Sequence, residues 1–171
     1  MVRKGTASAE TLPLTHITDA YMFRQIMEVE ALAPSGCPVF EEELLYLFYG
    51  RPAYRAADEE TSNGIDAYWP ICFVMMPSDV TPKRVYPFDS GAFHHKRYAE
   101  FMYHRMIKED FELESDPSMP GRLVSLFWSD IQGYFENKGP RDFVPGHHLF
   151  FFLIQQHPKP SRKWRKTWVF Q

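Results

Sequence analysis

His16 stands in Leu14-Thr15-His16-Ile17-Thr18, at the end of a short β-rich run and directly before a helix start, where Thr15 and Thr18 can orient the ring or bond a ligand. A second group follows in Leu45-Tyr46-Leu47-Phe48-Tyr49-Gly50-Arg51-Pro52-Ala53-Tyr54-Arg55. Here a strand delivers Tyr49 at its end, and the next turn presents Tyr54 five residues later. Two such rings form the walls of a slot suited to a flat cationic ring, because face stacking adds dispersion to cation–π attraction. Nicotinamide in NAD⁺ is a ring of that kind, and Arg51 and Arg55 are guanidinium groups beside the slot that could meet a pyrophosphate. The same residues also suit plain packing: a histidine at a strand end is commonly structural, and Tyr46, Phe48, Tyr49 and Tyr54 could all be core.

The order strand–His–Thr–helix, then strand–Tyr–Gly with a second Tyr on a helix, then the strand Pro70-Ile71-Cys72-Phe73-Val74-Met75-Met76, resembles the ADP-ribosyltransferases of the diphtheria-toxin and poly(ADP-ribose) polymerase type, over roughly residues 12 to 76. The resemblance implies that NAD is a substrate. It implies that His16 bonds the nicotinamide-ribose hydroxyl, supported by Thr15 or Thr18, and that Tyr49 and Tyr54 clamp nicotinamide. His16 and Tyr49 would then be the catalytic pair, with Thr15, Tyr54, Arg51 and Arg55 completing the NAD contacts. The implied chemistry is dissociative: the bond from ribose to nicotinamide breaks, and a carboxylate on a late strand stabilises the developing positive charge.

The late segment departs from that pattern. Its strand candidate, His148-Leu149-Phe150-Phe151-Phe152-Leu153-Ile154, and the Gln155-Gln156-His157 that follow hold no acid, and the last acid of the chain is Asp142. Asp89, Glu136 and Asp142 are the candidates for the role, and Gln155 or Gln156 could serve only as a neutral ribose ligand. Two function classes follow: a transferase moving ADP-ribose from NAD to a protein or nucleic-acid acceptor, or a domain of the same fold that binds without turnover.

Other chemistry is less favoured. The pairs His94-His95 and His147-His148, with His104 and His157, invite a metal reading, but adjacent residues point to opposite faces of a strand and lie about 100° apart on a helix, so neither pair chelates naturally. Cys72 sits mid-strand between Ile71 and Phe73, and Cys37 has no histidine or acid partner fixed by spacing. The phosphate-binding, dinucleotide-binding, zinc-peptidase and serine-hydrolase motifs are absent from the sequence.

The composition bounds what can carry such a site. The chain has 171 residues, 44% hydrophobic and 24% charged, enough for one domain with a core, and its 16% aromatic content favours a sheet. Two cysteines exclude a disulfide framework, and the longest apolar runs are six residues, so a soluble, cytoplasmic protein with no membrane partner is expected. The net charge of −3 is uneven: residues 143–171 hold five basic residues and no acid, with Trp164 and Trp168 available to stack on bases. That tail supports a third reading, a small nucleic-acid-binding protein.

The elements expected to hold these residues are strands at 12–17, 43–49, 70–76, 84–86 and 148–154. Helices are expected from Thr18 or Asp19 to near Leu32, from Arg51, over Lys96 to Glu114, and over Leu123 to Phe135. Residues 33–36 and 117–121 read as turns, Ser90-Gly91 as another, and 56–67 as a polar loop. Strands and helices mix without regular alternation, so the expected class is α+β: a single domain with a split antiparallel or mixed sheet and flanking helices. Its parts would be a flexible 1–11, an ADP-ribosyltransferase-like 12–154 and a basic tail at 155–171.

Overall fold

The computed structural model of the protein describes residues 11–53, 69–128, 130–135, 153–156 and 169–170. It is an α+β structure built on an antiparallel sheet. The strands are β1 (Leu14–Asp19), β2 (Ser35–Cys37), β3 (Glu42–Tyr49), β4 (Pro70–Met75), β5 (Pro82–Tyr86), β6 (Leu153–Gln156) and β7 (Val169–Phe170). The sheet runs β5-β6-β3-β1-β4-β7, with the short β2 added on β3, and every described pairing is antiparallel. The helices are α1 (Ala20–Val29), α2 (Ser90–His94), α3 (Met119–Phe127) and α4 (Ile131–Phe135).

Side-chain alternation decides what each face holds. In β3, Leu45, Leu47 and Tyr49 enter the main core with Leu12, Leu14, Val85, Val124, Trp128 and Tyr134, so α3 and α4 cover that face. Further along the same face, α1 lays Ile26 and Phe23 on Ile71 and Phe73. On the opposite face Leu44 joins Cys37 and Val39, with Phe40 and Tyr46 packed against them. Asp19 caps α1 by accepting from the Met22 amide at 2.7 Å, and the helix stops at Glu30 in the left-handed region (φ 52°), before Leu32. Gly50 ends β3 with φ 71°, where a Cβ would lie 2.6 Å from Leu12 Cδ1; the site requires glycine for both reasons.

Several expected elements differ. The strand expected at 12–17 begins at Leu14 and runs on to Asp19, and the turn expected at 33–36 contains the start of β2. The long helix expected over Lys96 to Glu114 is absent: the segment holds only single 3₁₀ turns at Ala99–Phe101 and Lys108–Phe111. The cause lies in competing partners. Lys96 adopts φ 56°, Tyr98 packs edge-on against Phe88 at 5.7 Å, and Asp110 turns back to accept from the Ile107 amide at 3.0 Å. The helix expected over Leu123 to Phe135 is two helices, broken where Asp130 accepts from the Gly133 amide at 2.6 Å. Ser90-Gly91 opens α2, capped by Asp89. Residues 155–156, expected in the tail, belong to β6, and 169–170 form β7. The helix expected from Arg51 and most of the strand expected at 148–154 fall largely outside the described residues. Among the described residues no helix is long and apolar enough to cross a membrane.

Candidate functional site

Position on β1 decides what His16 can reach. The register pairs Leu14 with Tyr49 on one side and Met75 on the other, and His16 with Phe73, so His16 shares its face with Leu14 and with the main core. It lies at the seam between that core and the Phe73 cluster, half-buried, its ring centroid 6.4 Å from that of Phe73. Nδ1 is 2.9 Å from the Tyr46 carbonyl oxygen. A carbonyl can only accept, so Nδ1 carries the proton. Burial holds the ring's pKa below its ordinary 6.5, outweighing the opposing pull of that hydrogen bond. The ring is therefore neutral at neutral pH, and Nε2 is left as an acceptor that a hydroxyl group could donate to.

Thr15, one residue earlier, faces the other side of the sheet. It is buried and its hydroxyl donates to the Phe48 carbonyl at 3.2 Å. Of the two flanking threonines, Thr18 is the one whose strand position shares the His16 face. The structure thus separates Thr15 from the group it was expected to support.

Tyr49 was expected as an open wall of a slot, and the structure encloses it. Only 2% of the residue is exposed; its hydroxyl accepts the Leu12 amide proton at 3.1 Å, and Tyr134 donates to its carbonyl at 2.9 Å. Burial raises its pKa, countered in part by the Leu12 amide. Gly121 of α3 sits so close that a Cβ there would lie 2.8 Å from the Tyr49 hydroxyl oxygen. The cause is register: opposite Leu14, the ring points into the main core, where α3 and α4 close over it. Arg51 is half-buried beside the same helix, its guanidinium 5.7 Å from the Tyr134 ring centroid and Nη1 3.5 Å from the Tyr134 carbonyl oxygen. It is held by α4. Tyr54 and Arg55 lie outside the described residues, as do Glu136 and Asp142. Asp89 is engaged as the α2 cap, accepting from the Gly91 amide at 2.9 Å and the Ala92 amide at 3.3 Å.

The strand order brings together what the residues alone leave apart. β6 inserts between β3 and β5, pairing Leu45 with Gln156 and Tyr46 with Gln155. The His16 strand, the Tyr49 strand and the late strand are therefore three neighbours, β1-β3-β6.

A second polar group on the opposite face escaped the sequence reading. The Cys37 thiol meets the Tyr46 hydroxyl, and Ser90, fully buried, stands beside the same hydroxyl. Burial foremost, and then Cys37, push the Tyr46 phenol above its ordinary range, so it remains a neutral donor or acceptor. Strict alternation was the available signal: Tyr46 and Tyr49 are three apart and must face opposite sides. Beside it, Glu42 holds two cations, Lys83 and Arg84, the latter at 2.8 Å. A register irregularity between Pro82 and Arg84 lets these consecutive residues reach one carboxylate. Cys72 is half-buried, and burial raises its thiol pKa, which disfavours the thiolate. Among the described residues no group of three His, Cys, Asp or Glu is placed to hold a metal ion. No protein-family model, curated protein or solved structure matches the chain.

Proposed function

We propose that the chain is an ADP-ribosyltransferase-like domain that takes NAD as its substrate and holds the nicotinamide ribose through His16. The observation that carries this reading is the adjacency of β1, β3 and β6. A site built from a histidine on the first strand, a tyrosine strand and a late strand needs those strands side by side, although more than a hundred residues separate β3 from β6. The protonation of His16 fits as well. A neutral ring with Nδ1–H tied to a main-chain carbonyl offers Nε2 to a ribose hydroxyl. In this reading Tyr49 fixes the end of β3 within the core and does not itself stack on the pyridinium.

A second reading, binding without turnover, is favoured by one specific observation. The β6 residues Leu153-Ile154-Gln155-Gln156 include no acid, and a neutral amide does not offset the charge that develops on the sugar as nicotinamide leaves. Calorimetry with NAD and a nicotinamide-release assay separate the readings. The transferase reading expects wild type to bind NAD and release nicotinamide, and His16→Ala to lose both. Binding without release assigns the second reading. Gln156→Glu, at the position paired with Leu45, then restores release if only the carboxylate is lacking. Wild-type protein that binds no NAD overturns both.

A further inference from the structure

The segment from His94 to Lys108 carries four Lys or Arg and one acid, whereas acids exceed bases by six in the rest of the chain. It also exposes large side chains, with Phe101 and Tyr103 each 55% exposed. His94, His95 and His104 are exposed too, as are Lys96, Arg97 and Arg105. Five exposed flat rings thus interleave with three exposed cations.

The segment is not a frayed end. Phe88 anchors its base, stacking on Phe93 at 5.4 Å and meeting Phe111 at 5.0 Å, so the entering and leaving chains are clamped on one ring. Lys108 donates to the Val39 carbonyl at 3.0 Å, and the Leu113 amide donates to the Val85 carbonyl at 2.9 Å. The acids that follow the loop are engaged with it: Glu109 pairs with Lys108 at 3.4 Å, and Asp110 accepts from Ile107. A clamped base that presents rings and cations loses little conformational freedom when a ligand arrives.

We propose that this loop is a docking site for single-stranded nucleic acid, with bases stacking on Phe101, Tyr103 and the neighbouring histidine rings while Lys96, Arg97 and Arg105 meet phosphates. The ring count decides the partner. Met106 and Ile107 are the only large aliphatic side chains exposed on the loop, too few to favour a lipid interface over a stacked strand. Every base has a π-face, and unpaired bases leave it open for stacking. The site is independent of the NAD reading and lies on a different part of the fold, against the Phe88 cluster.

The test is fluorescence anisotropy of the full chain with labelled oligo-dT and oligo-rU of about 12 nucleotides. Binding to either is expected. Three phosphate contacts predict a log–log salt slope of about −2. The double variant Phe101→Ala/Tyr103→Ala should weaken binding by roughly fivefold or more per ring. Lys96→Glu/Arg105→Glu should flatten the salt slope. Both variants alter exposed side chains and should keep a cooperative unfolding transition, and Tyr21→Ala, an exposed ring on α1, should bind like wild type. Three results would overturn the proposal: no binding to either oligonucleotide; binding unchanged by the loop variants but lost in Lys163→Glu/Arg165→Glu; or binding only to vesicles of anionic lipid.

Discussion

The hydroxyl of Tyr134 donates to the main-chain carbonyl of Tyr49 at 2.9 Å, tying α4 to the end of β3 across 85 residues of sequence. The Arg51 amide donates to the same carbonyl at 2.8 Å, so Tyr134→Phe removes one donor without orphaning the acceptor. The expected loss is about 1 kcal/mol. Tyr134→Ala also removes a ring packed 5.1 Å from Trp128 and should cost about 3–5 kcal/mol. Chemical denaturation of the two variants checks the ratio.

Gly121→Ala should destabilise through one contact, because the new Cβ would meet the Tyr49 hydroxyl oxygen at 2.8 Å while the next nearest atom lies at an ordinary 3.7 Å. Overpacking of this kind costs about 1–3 kcal/mol. Tyr49→Phe removes that oxygen, at the expense of the Leu12 amide's partner. The two substitutions should therefore be non-additive, Gly121→Ala costing less in the Tyr49→Phe background. Additive losses in a double-mutant cycle would refute the contact.

The folded protein holds the pKa of His16 below its ordinary 6.5 by burial. A chain unfolded below that pH binds a proton that the folded ring resists, so the contribution is whole above about 6.5 and is lost as pH falls from there through the lowered folded value. Unfolding free energy should drop more between pH 7.5 and 5.5 for wild type than for His16→Asn. The asparagine amide retains a donor for the Tyr46 carbonyl but does not titrate. Equal slopes would show that His16 is not the group responsible.

Glu42 and Glu28 both form ion pairs, in different surroundings. Glu42 is about three-quarters buried between Lys83 and Arg84, whereas the Arg24–Glu28 pair on α1 is 84% and 62% exposed. Glu42→Ala leaves two cations without their shared carboxylate and should cost roughly 2 kcal/mol. Glu28→Ala should stay within about 0.5 kcal/mol and respond to salt. Urea titrations at low and high ionic strength distinguish them.

Much of the sheet was legible because alternation is a strong signal. Leu45, Leu47 and Tyr49 declare one face of β3, and Asp19 declares the start of α1. Helical spacing proved the weaker guide. Tyr98, Phe101, Met102 and Met106 fit one helical face, yet Tyr98 is captured by Phe88 and the backbone turns left-handed at Lys96, events set by distant residues and local caps. In the candidate site, His16 and Tyr49 could each be assigned to a strand, but the pairing of those two strands could not be read from the residues. Nor could the burial of Tyr49, since it depends on Gly121 and Tyr134, more than seventy residues downstream. The choice between Thr15 and Thr18 turns on a simpler rule: strand residues at odd spacing face apart, so only Thr18 shares the His16 face.

The insertion of β6 between β3 and β5 also bears on how the chain is made. A ribosome delivers β3 and β5 long before residues 153–156, so a nascent chain displays two open edges with unpaired amides and carbonyls until β6 emerges. During that interval the exposed edges can pair with other chains, and chaperone occupancy should rise and fall with the arrival of that one short strand.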